Sequence, residues 1–209
     1  MHFDHASAEN LLSIMQNRRD VRGNNFLEKQ IEKEKIDMIL DAALTAPSVG
    51  YSQPWEFVLI EDRSIKDKIY SIFEEENAKA KHLFSDRSLY EKLKLEGIKE
   101  APVNIAVLYK KQKEPILGQT SMMKMGEYST VCAVQNMWLM ARSLNIGMGW
   151  VSIVDEKRVL QIIKAESDDT LVAYLCVGYV NEFYGEPELK TIGWEEEKRR
   201  ELTVRTLGK

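Results

Sequence analysis

The sequence predicts one domain in which helices and strands are mixed, and three observations carry that prediction. The chain has 209 residues, of which 44% are hydrophobic, enough for a single well-buried core and too few to divide comfortably into two. Four runs rich in β-branched and aromatic residues read as buried strands: Trp55–Glu61, Val103–Tyr109, Met148–Val154 and Leu171–Val180. Segments of helical character separate them, and no internal repeat or low-complexity linker interrupts the chain.

Ser7 can cap a first helix running to about Asn17, with Leu11, Leu12, Ile14 and Met15 on its apolar face. The loop Gly23-Asn24-Asn25-Phe26 ends that unit. A second helix spans about Lys33 to Thr45, with Ile36, Ile39, Leu40, Ala43 and Leu44 on one side, and Pro47 stops it. Residues 46–54 hold two prolines and several small residues, a stiff turn through which backbone amides can approach a flat ligand. Ser64–Phe84 and Asp86–Glu100 are highly charged and read as exposed helices, either solvated or overhanging a site as a lid. From Lys124 to Leu144 almost no polar face remains, so this helix must be buried on most sides, at a subunit interface or at the centre of a monomer. Beyond Tyr184 the chain is rich in Pro, Glu, Lys and Arg, with Trp194 as a lone anchor. Such a tail can wrap a partner, return positive charge to an anion site, or simply be solvated.

Composition excludes several function classes. A formal net charge of −4 argues against a general nucleic-acid binder, which needs a basic face. Cys132 and Cys176 each sit in an apolar segment and offer neither metal-ligand spacing nor a disulfide framework, so both are expected to be reduced core residues. His2, His5 and His82 make no ligand pattern, no metal is expected, and a Ser-His-Asp hydrolase is improbable without a suitably placed base. No apolar stretch approaches the ~20 residues that span a bilayer, and the N-terminus has no secretory pattern, so a cytoplasmic protein without membrane contact is expected.

Chemistry concentrates in three places. Arg18-Arg19-Asp20-Val21-Arg22 sets three guanidinium groups around one carboxylate just past the first helix. Planar guanidinium donors match phosphate oxygens in pairs, so the cluster reads as a phosphate clamp. Asp20 is the odd member: charge proximity should lower its pKa, and beside a phosphate it would be repelled unless it accepts a proton. Ala46-Pro47-Ser48-Val49-Gly50 leads to Gln53-Pro54-Trp55, and Gly147-Met148-Gly149-Trp150-Val151-Ser152-Ile153 puts glycines before a short strand whose end can present backbone N–H groups and the Ser152 hydroxyl. Neither GxGxxG nor GxxxxGK[ST] is present, so a Rossmann or P-loop site is not indicated.

These segments resemble the nitroreductase-like flavoprotein superfamily and, within it, the 5,6-dimethylbenzimidazole synthase family. The resemblance extends through Leu93–Ile98, Tyr128–Asn136, Tyr174–Gly178, Pro187-Glu188-Leu189 and Gly193-Trp194, in the family's order along nearly the whole chain. Asp20 and the Trp-Val-Ser-Ile run point to the synthase in particular. The resemblance implies an α+β fold, a three-layer α/β/α sandwich with a mixed, mostly antiparallel sheet flanked by helices. It also implies an intertwined homodimer with FMN at the interface, residues 64–100 as a candidate lid and 185–209 as a partner-wrapping tail.

By the same resemblance, Arg18, Arg19 and Arg22 hold the FMN phosphate, and Pro47, Ser48 and Gly50 pack near the flavin, often from the other subunit. Trp150, Val151 and Ser152 face the ring. A tail arginine also contacts the phosphate, and the acidic run after Trp194 leaves that contact open between Arg199 and Arg200. The family's reaction consumes reduced FMN itself with O₂, giving 5,6-dimethylbenzimidazole, the lower ligand of cobalamin, and erythrose 4-phosphate. Asp20 is then the base at the ribityl side, and Ser152 a hydrogen-bonding group at the ring. The electrons come from NAD(P)H directly or as FMNH₂ from a separate flavin reductase. The competing readings are an NAD(P)H-dependent nitroreductase or flavin reductase, and a flavin-binding protein without turnover.

Overall fold

Apolar residues two apart along a strand fall on the same face, and in this chain both faces of the sheet are covered. The computed structural model describes residues 1–84, 88–196 and 204–208. The strands are β1 (Trp55–Ile60), β2 (Val103–Tyr109), β3 (Gly147–Val151) and β4 (Thr170–Gly178), paired antiparallel in the order β1-β2-β4-β3. The helices are α1 (His5–Asn17), α2 (Lys33–Leu44), α3 (Arg63–Leu83), α4 (Met125–Ser143), α5 (Glu156–Ile162) and a single turn, α6 (Glu188–Thr191).

Val103, Ile105 and Val107 of β2 lie across from Val177, Leu175 and Ala173 of β4 and pack with α2 and α4. The alternate residues, Ala106, Tyr174 and Cys176, face the opposite side and pack with Ile69, Ile72 and Phe73 of α3 and Val159 of α5. The strict period of two thus builds two cores on one sheet, which is the three-layer α/β/α sandwich expected. Cys176 is fully buried and Cys132 half-buried, both free thiols.

Four local expectations change. Asp4, one turn earlier than anticipated, caps α1 by accepting from the Ser7 N–H (2.9 Å) and hydroxyl (2.6 Å). A carboxylate outcompetes a neutral hydroxyl for the unpaired N–H groups of a first turn. β3 ends at Val151, because Asp155 caps α5 through the Arg158 N–H and residues 152–154 become the connection, leaving Ser152 just past the strand. α3 is present, but it is a covering helix with a buried face, and Lys66 on that face donates to the Ala101 and Pro102 carbonyls at 2.8 and 2.6 Å.

The fourth difference is the second charged segment. The described residues 88–100 form one 3-10 turn at Tyr90–Lys92 followed by non-helical chain; Asp86 lies outside the described residues. Its charges pair locally: Lys94 reaches Glu96 (2.6 Å) and Glu100 (2.8 Å), and Glu96 is only 2% exposed. Its carbonyls are held by a backbone bond from distant chain, the Gly23 N–H on the Glu96 carbonyl (2.7 Å), and by a side chain, Asn104 Nδ2 on the Ile98 carbonyl (2.9 Å).

α4 is packed on the sheet through one face and open on another. Ala133, Val134, Met137 and Ala141 are wholly buried against the sheet, whereas Tyr128 and Val131 are 50% and 40% exposed. Leu175 sits at the centre of the α2/α4 core with no exposure. Leu175→Ala is expected to cost about 2–5 kcal/mol, read as a lower urea midpoint with an unchanged slope.

Candidate active site

After α1 the chain turns along β3, where Asp20 and Met148 form a parallel bridge and the Val21 N–H donates to the Met148 carbonyl at 3.1 Å. This approach needs a bare backbone on β3. A Cβ on Gly149 would fall on the Val21 carbonyl oxygen, so the glycine in the Gly-Met-Gly-Trp run is the condition for residues 18–22 to lie there. Next to it, the Trp150 N–H points outward and donates to Asp20 Oδ1 at 3.1 Å.

A guanidinium carries five N–H donors, and counting them separates the three arginines. Arg19 spends four on backbone carbonyls: Tyr184 (2.9 Å), Gln16 (2.7 Å), Arg18 (2.8 Å) and Gly185. It is a staple between the end of α1 and the tail, and it also lines the cavity onto which Asp20 opens. Arg22 spends three, on the Leu95 and Trp150 carbonyls (3.2 Å each) and on Asp20 Oδ2. Arg18 donates to no described residue; its guanidinium lies over the Trp138 ring, 4.9 Å from the centroid, with Trp150 next in line at 6.4 Å. Arg18 keeps all its donors and Arg22 two, so Arg18 has the larger free donor capacity toward an anion.

Asp20 departs from its expected electrostatics. Its pKa is raised, because loss of solvation outweighs the Arg22 charge, the Trp150 N–H and the Arg18 charge that favour the carboxylate. Yet 37% of the side chain remains open, and what it opens onto is a cavity of about 220 Å³ lined by Arg18, Arg22, Lys94, Tyr184 and Glu188. A carboxylate of raised proton affinity facing a cavity beside free guanidinium donors can accept a proton from an anchored anionic ligand. Lys94 adds positive charge but is occupied by Glu96 and Glu100.

Ser152 is exposed and lies in a second cavity of about 200 Å³ with Trp150, Glu156 and Tyr174. Trp150 is therefore the divider: its N–H serves Asp20 and its residue also lines the Ser152 cavity. Val151 is buried at 2% exposure and belongs to the core. Arg199 and Arg200 lie outside the described residues.

Pro47, Ser48 and Gly50 are elsewhere, before β1. Ser48 Oγ accepts from the Gln53 N–H (3.1 Å), and the Val49 N–H donates to Ser129 of α4 (3.0 Å). Gly50 is left-handed at φ +55°, with Ile116 and Leu117 closing over it, and Tyr51 and Gln53 are left-handed without being glycine, at +53° and +42°. Strain of this kind, held in place by surrounding contacts, is characteristic of ligand-contacting loops. β1 and β3 are opposite edges of the sheet, three strand spacings or about 14 Å apart. One chain does not bring this loop to Asp20.

Sequence reasoning gave no role to Lys94, Tyr184 and Glu188. Glu188 carried a signal inside the Pro187-Glu188-Leu189 run and Lys94 one inside Leu93–Ile98, whereas Tyr184 carried none. The close acidic group Glu166, Asp168 and Asp169 is bridged by Lys110, 2.8 Å from Asp169 and 3.7 Å from Glu166.

Residues 15–179 match the model of the nitroreductase family. The 5,6-dimethylbenzimidazole synthase of Rhodospirillum rubrum is 38% identical over 197 residues, 92% of each chain. A 5,6-dimethylbenzimidazole synthase of Rhodobacter capsulatus is 33% identical over 203 residues, 94% of this chain and 96% of that one. The fold is shared with oxidised iodotyrosine deiodinase, solved with FMN and 3-iodo-L-tyrosine, at a TM-score of 0.72 and 21% identity, covering 95% of this chain and 99% of that one. A match of this extent, on a fold and an arginine-lined cavity of this kind, means that the chain belongs to the nitroreductase family.

Proposed function

We propose that the protein is a 5,6-dimethylbenzimidazole synthase that fragments reduced FMN with O₂ and releases erythrose 4-phosphate. The observation that carries the reading is Asp20, a carboxylate of raised proton affinity built into an arginine-lined cavity. A site that only holds phosphate gains nothing from it. Near full-length similarity to two proteins named as this synthase supports the same reading.

The donor set suits a phosphate ester: Arg18 offers its whole fork and Arg22 two further N–H groups. About 220 Å³ is less than the ~300–1,000 Å³ that encloses a whole ligand, so this cavity takes the ribityl phosphate end. The ring then lies outside it, beside Trp150 and the Ser152 hydroxyl. Bound reduced flavin supplies both the electrons that reduce O₂ and the carbon skeleton of the product. Asp20 accepts a proton at the ribityl side, and Ser152 hydrogen-bonds the ring edge.

We read the working unit as a homodimer in which Pro47, Ser48 and Gly50 of a second copy cover the ring. Leu11, Leu12 and Met15 of α1 are 49%, 53% and 44% exposed, and α1 buries nothing within its own chain. With Tyr128 and Val131 of α4 they form apolar surface suited to a second copy. The start of the 185–209 segment is held on its own chain by Arg19 and Trp194, so it is the end of the segment, where Val204 and Leu207 are 73% and 78% exposed, that we assign to wrapping a partner. Electrons arrive as FMNH₂ from a separate flavin reductase or through NAD(P)H. No helix among the described residues is long and apolar enough to cross a membrane, and two free thiols suit the reducing cytoplasm.

Aerobic incubation with pre-reduced FMN should yield 5,6-dimethylbenzimidazole by mass analysis. Quantitative return of intact FMN would replace this reading with a recycling nitroreductase. Asp20→Asn should leave FMN affinity equal or tighter while product formation falls ~10²–10⁴-fold. Because Asp20 acts as the ionised form and its pKa is raised, the wild-type rate should fall with decreasing pH at a point above the ordinary aspartate range. Arg18→Ala should weaken FMN by about 1.5–3 kcal/mol per lost charge-assisted bond, roughly ten- to a hundredfold in fluorescence titration. Arg19→Ala should instead lower the melting temperature by freeing the tail, with a smaller effect on FMN.

A further inference from the structure

Glu188 is a carboxylate in an arginine-lined cavity with no assigned work. It is half-buried and lines the same cavity as Asp20, Arg18 and Arg22. Its carboxylate makes no hydrogen bond or ion pair with a described residue, whereas its chain neighbours Glu186 and Lys190 pair with each other at 2.7 Å. Its place is fixed from both sides. Arg19 staples the Tyr184 and Gly185 carbonyls, and beyond α6 Trp194 packs against Phe84 (5.6 Å) and Tyr90 (6.0 Å), joining the two segments that wall the cavity. A carboxylate held against a phosphate-type site lowers anion affinity, whereas one that carries protons has work to do there.

We propose that Glu188 is the proton-relay partner of Asp20: it receives the proton that Asp20 takes from the ligand and delivers it to water. This rests on the reading of Asp20 as the base. In the step, a proton leaves the ligand for the Asp20 carboxylate, passes to the Glu188 carboxylate, and goes from Glu188 to solvent, which returns both groups to their starting charge. No electrons move.

The surroundings couple the two carboxylates. Asp20 as an anion is supported by the Trp150 N–H, the Arg22 ion pair and the Arg18 charge. Glu188 has only the Arg22 charge at a distance, and burial together with the Asp20 charge raises its pKa. Two carboxylates that face one cavity and feel each other's charge titrate as a coupled pair, so a proton taken up by Asp20 is shared with Glu188. The other charged or titratable groups facing it are Arg18 and Arg19 from the segment after α1, Lys94 from the 88–95 wall, and Tyr184 from the tail. Of these, Arg19 is engaged by carbonyls and Lys94 by Glu96 and Glu100.

The first test needs no flavin. In full-length, ligand-free protein carrying ¹³C-carboxyl glutamate, with Glu188→Gln assigning the signal, the Glu188 titration midpoint should lie above that of ordinary glutamate. Asp20→Asn should move it to lower pH by about half a unit or more, because a negative neighbour is lost. An identical midpoint in both proteins overturns the proposal. The second test uses turnover: Glu188→Gln should keep or tighten FMN binding, slow product formation, and regain rate on adding a small carboxylic acid such as acetate. Glu188→Asp should recover part of the rate, with a displaced pH profile. An unaltered rate and pH profile in Glu188→Gln refutes the relay. If wild type makes no benzimidazole at all, the functional reading fails, and the carboxyl titration still decides whether Glu188 and Asp20 are coupled.

Discussion

The site depends on the close passage of residues 18–22 along β3. One backbone bond, Val21 N–H to the Met148 carbonyl, sets the register of that passage, and Gly149 makes it sterically possible. Everything polar follows from it. Asp20 meets the Trp150 N–H, Arg22 reaches the Trp150 and Leu95 carbonyls, and Arg18 is laid over Trp138. Since β3 is an edge strand, this added segment also shields backbone that would otherwise be open to another chain.

Three arginines in five residues look equivalent in sequence, and the structure divides their labour by what carbonyls surround each one. Arg19 meets carbonyls from its own helix end and from residues more than 160 positions away, and becomes a staple. Arg18 meets an indole face, which attracts its charge without consuming a donor. The same competition between solvent and protein governs Asp20. Nearby cations argue for a stronger acid, but the walls contributed by Leu93, Leu95 and the tail remove water from the carboxyl, and desolvation prevails.

The sheet order places the strained loop at 47–50 and the arginine cavity at opposite edges. Within one chain the two do not meet, and α1 and α4 leave Leu11, Leu12, Met15, Tyr128 and Val131 exposed. Tyr51, next to that loop, is 85% exposed in the left-handed region at φ +53°, a strained position held by the turn around it.

By itself the sequence determined what depends on near neighbours. Unbroken β-branched and apolar runs along Val103–Tyr109 and Leu171–Val180 mark strands buried on both faces, and the apolar circumference of Lys124 to Leu144 marks a helix buried on most sides. The Arg-Arg-Asp cluster and the family pattern were also legible, because residue identity and spacing carry them. Tertiary structure decided the rest. Residues 88–100 carry enough charge to look like a solvated helix, yet Glu96 is buried because Lys94, Ile98 and the Gly23 N–H reach it from different directions. Which arginine is free, how strongly Asp20 holds a proton, that Glu188 shares its cavity, and that Ser48 does not, all turn on atoms brought together from distant parts of the chain. Hydrogen-bond donors and solvation are consumed by whatever lies nearby in space, and linear spacing does not encode that.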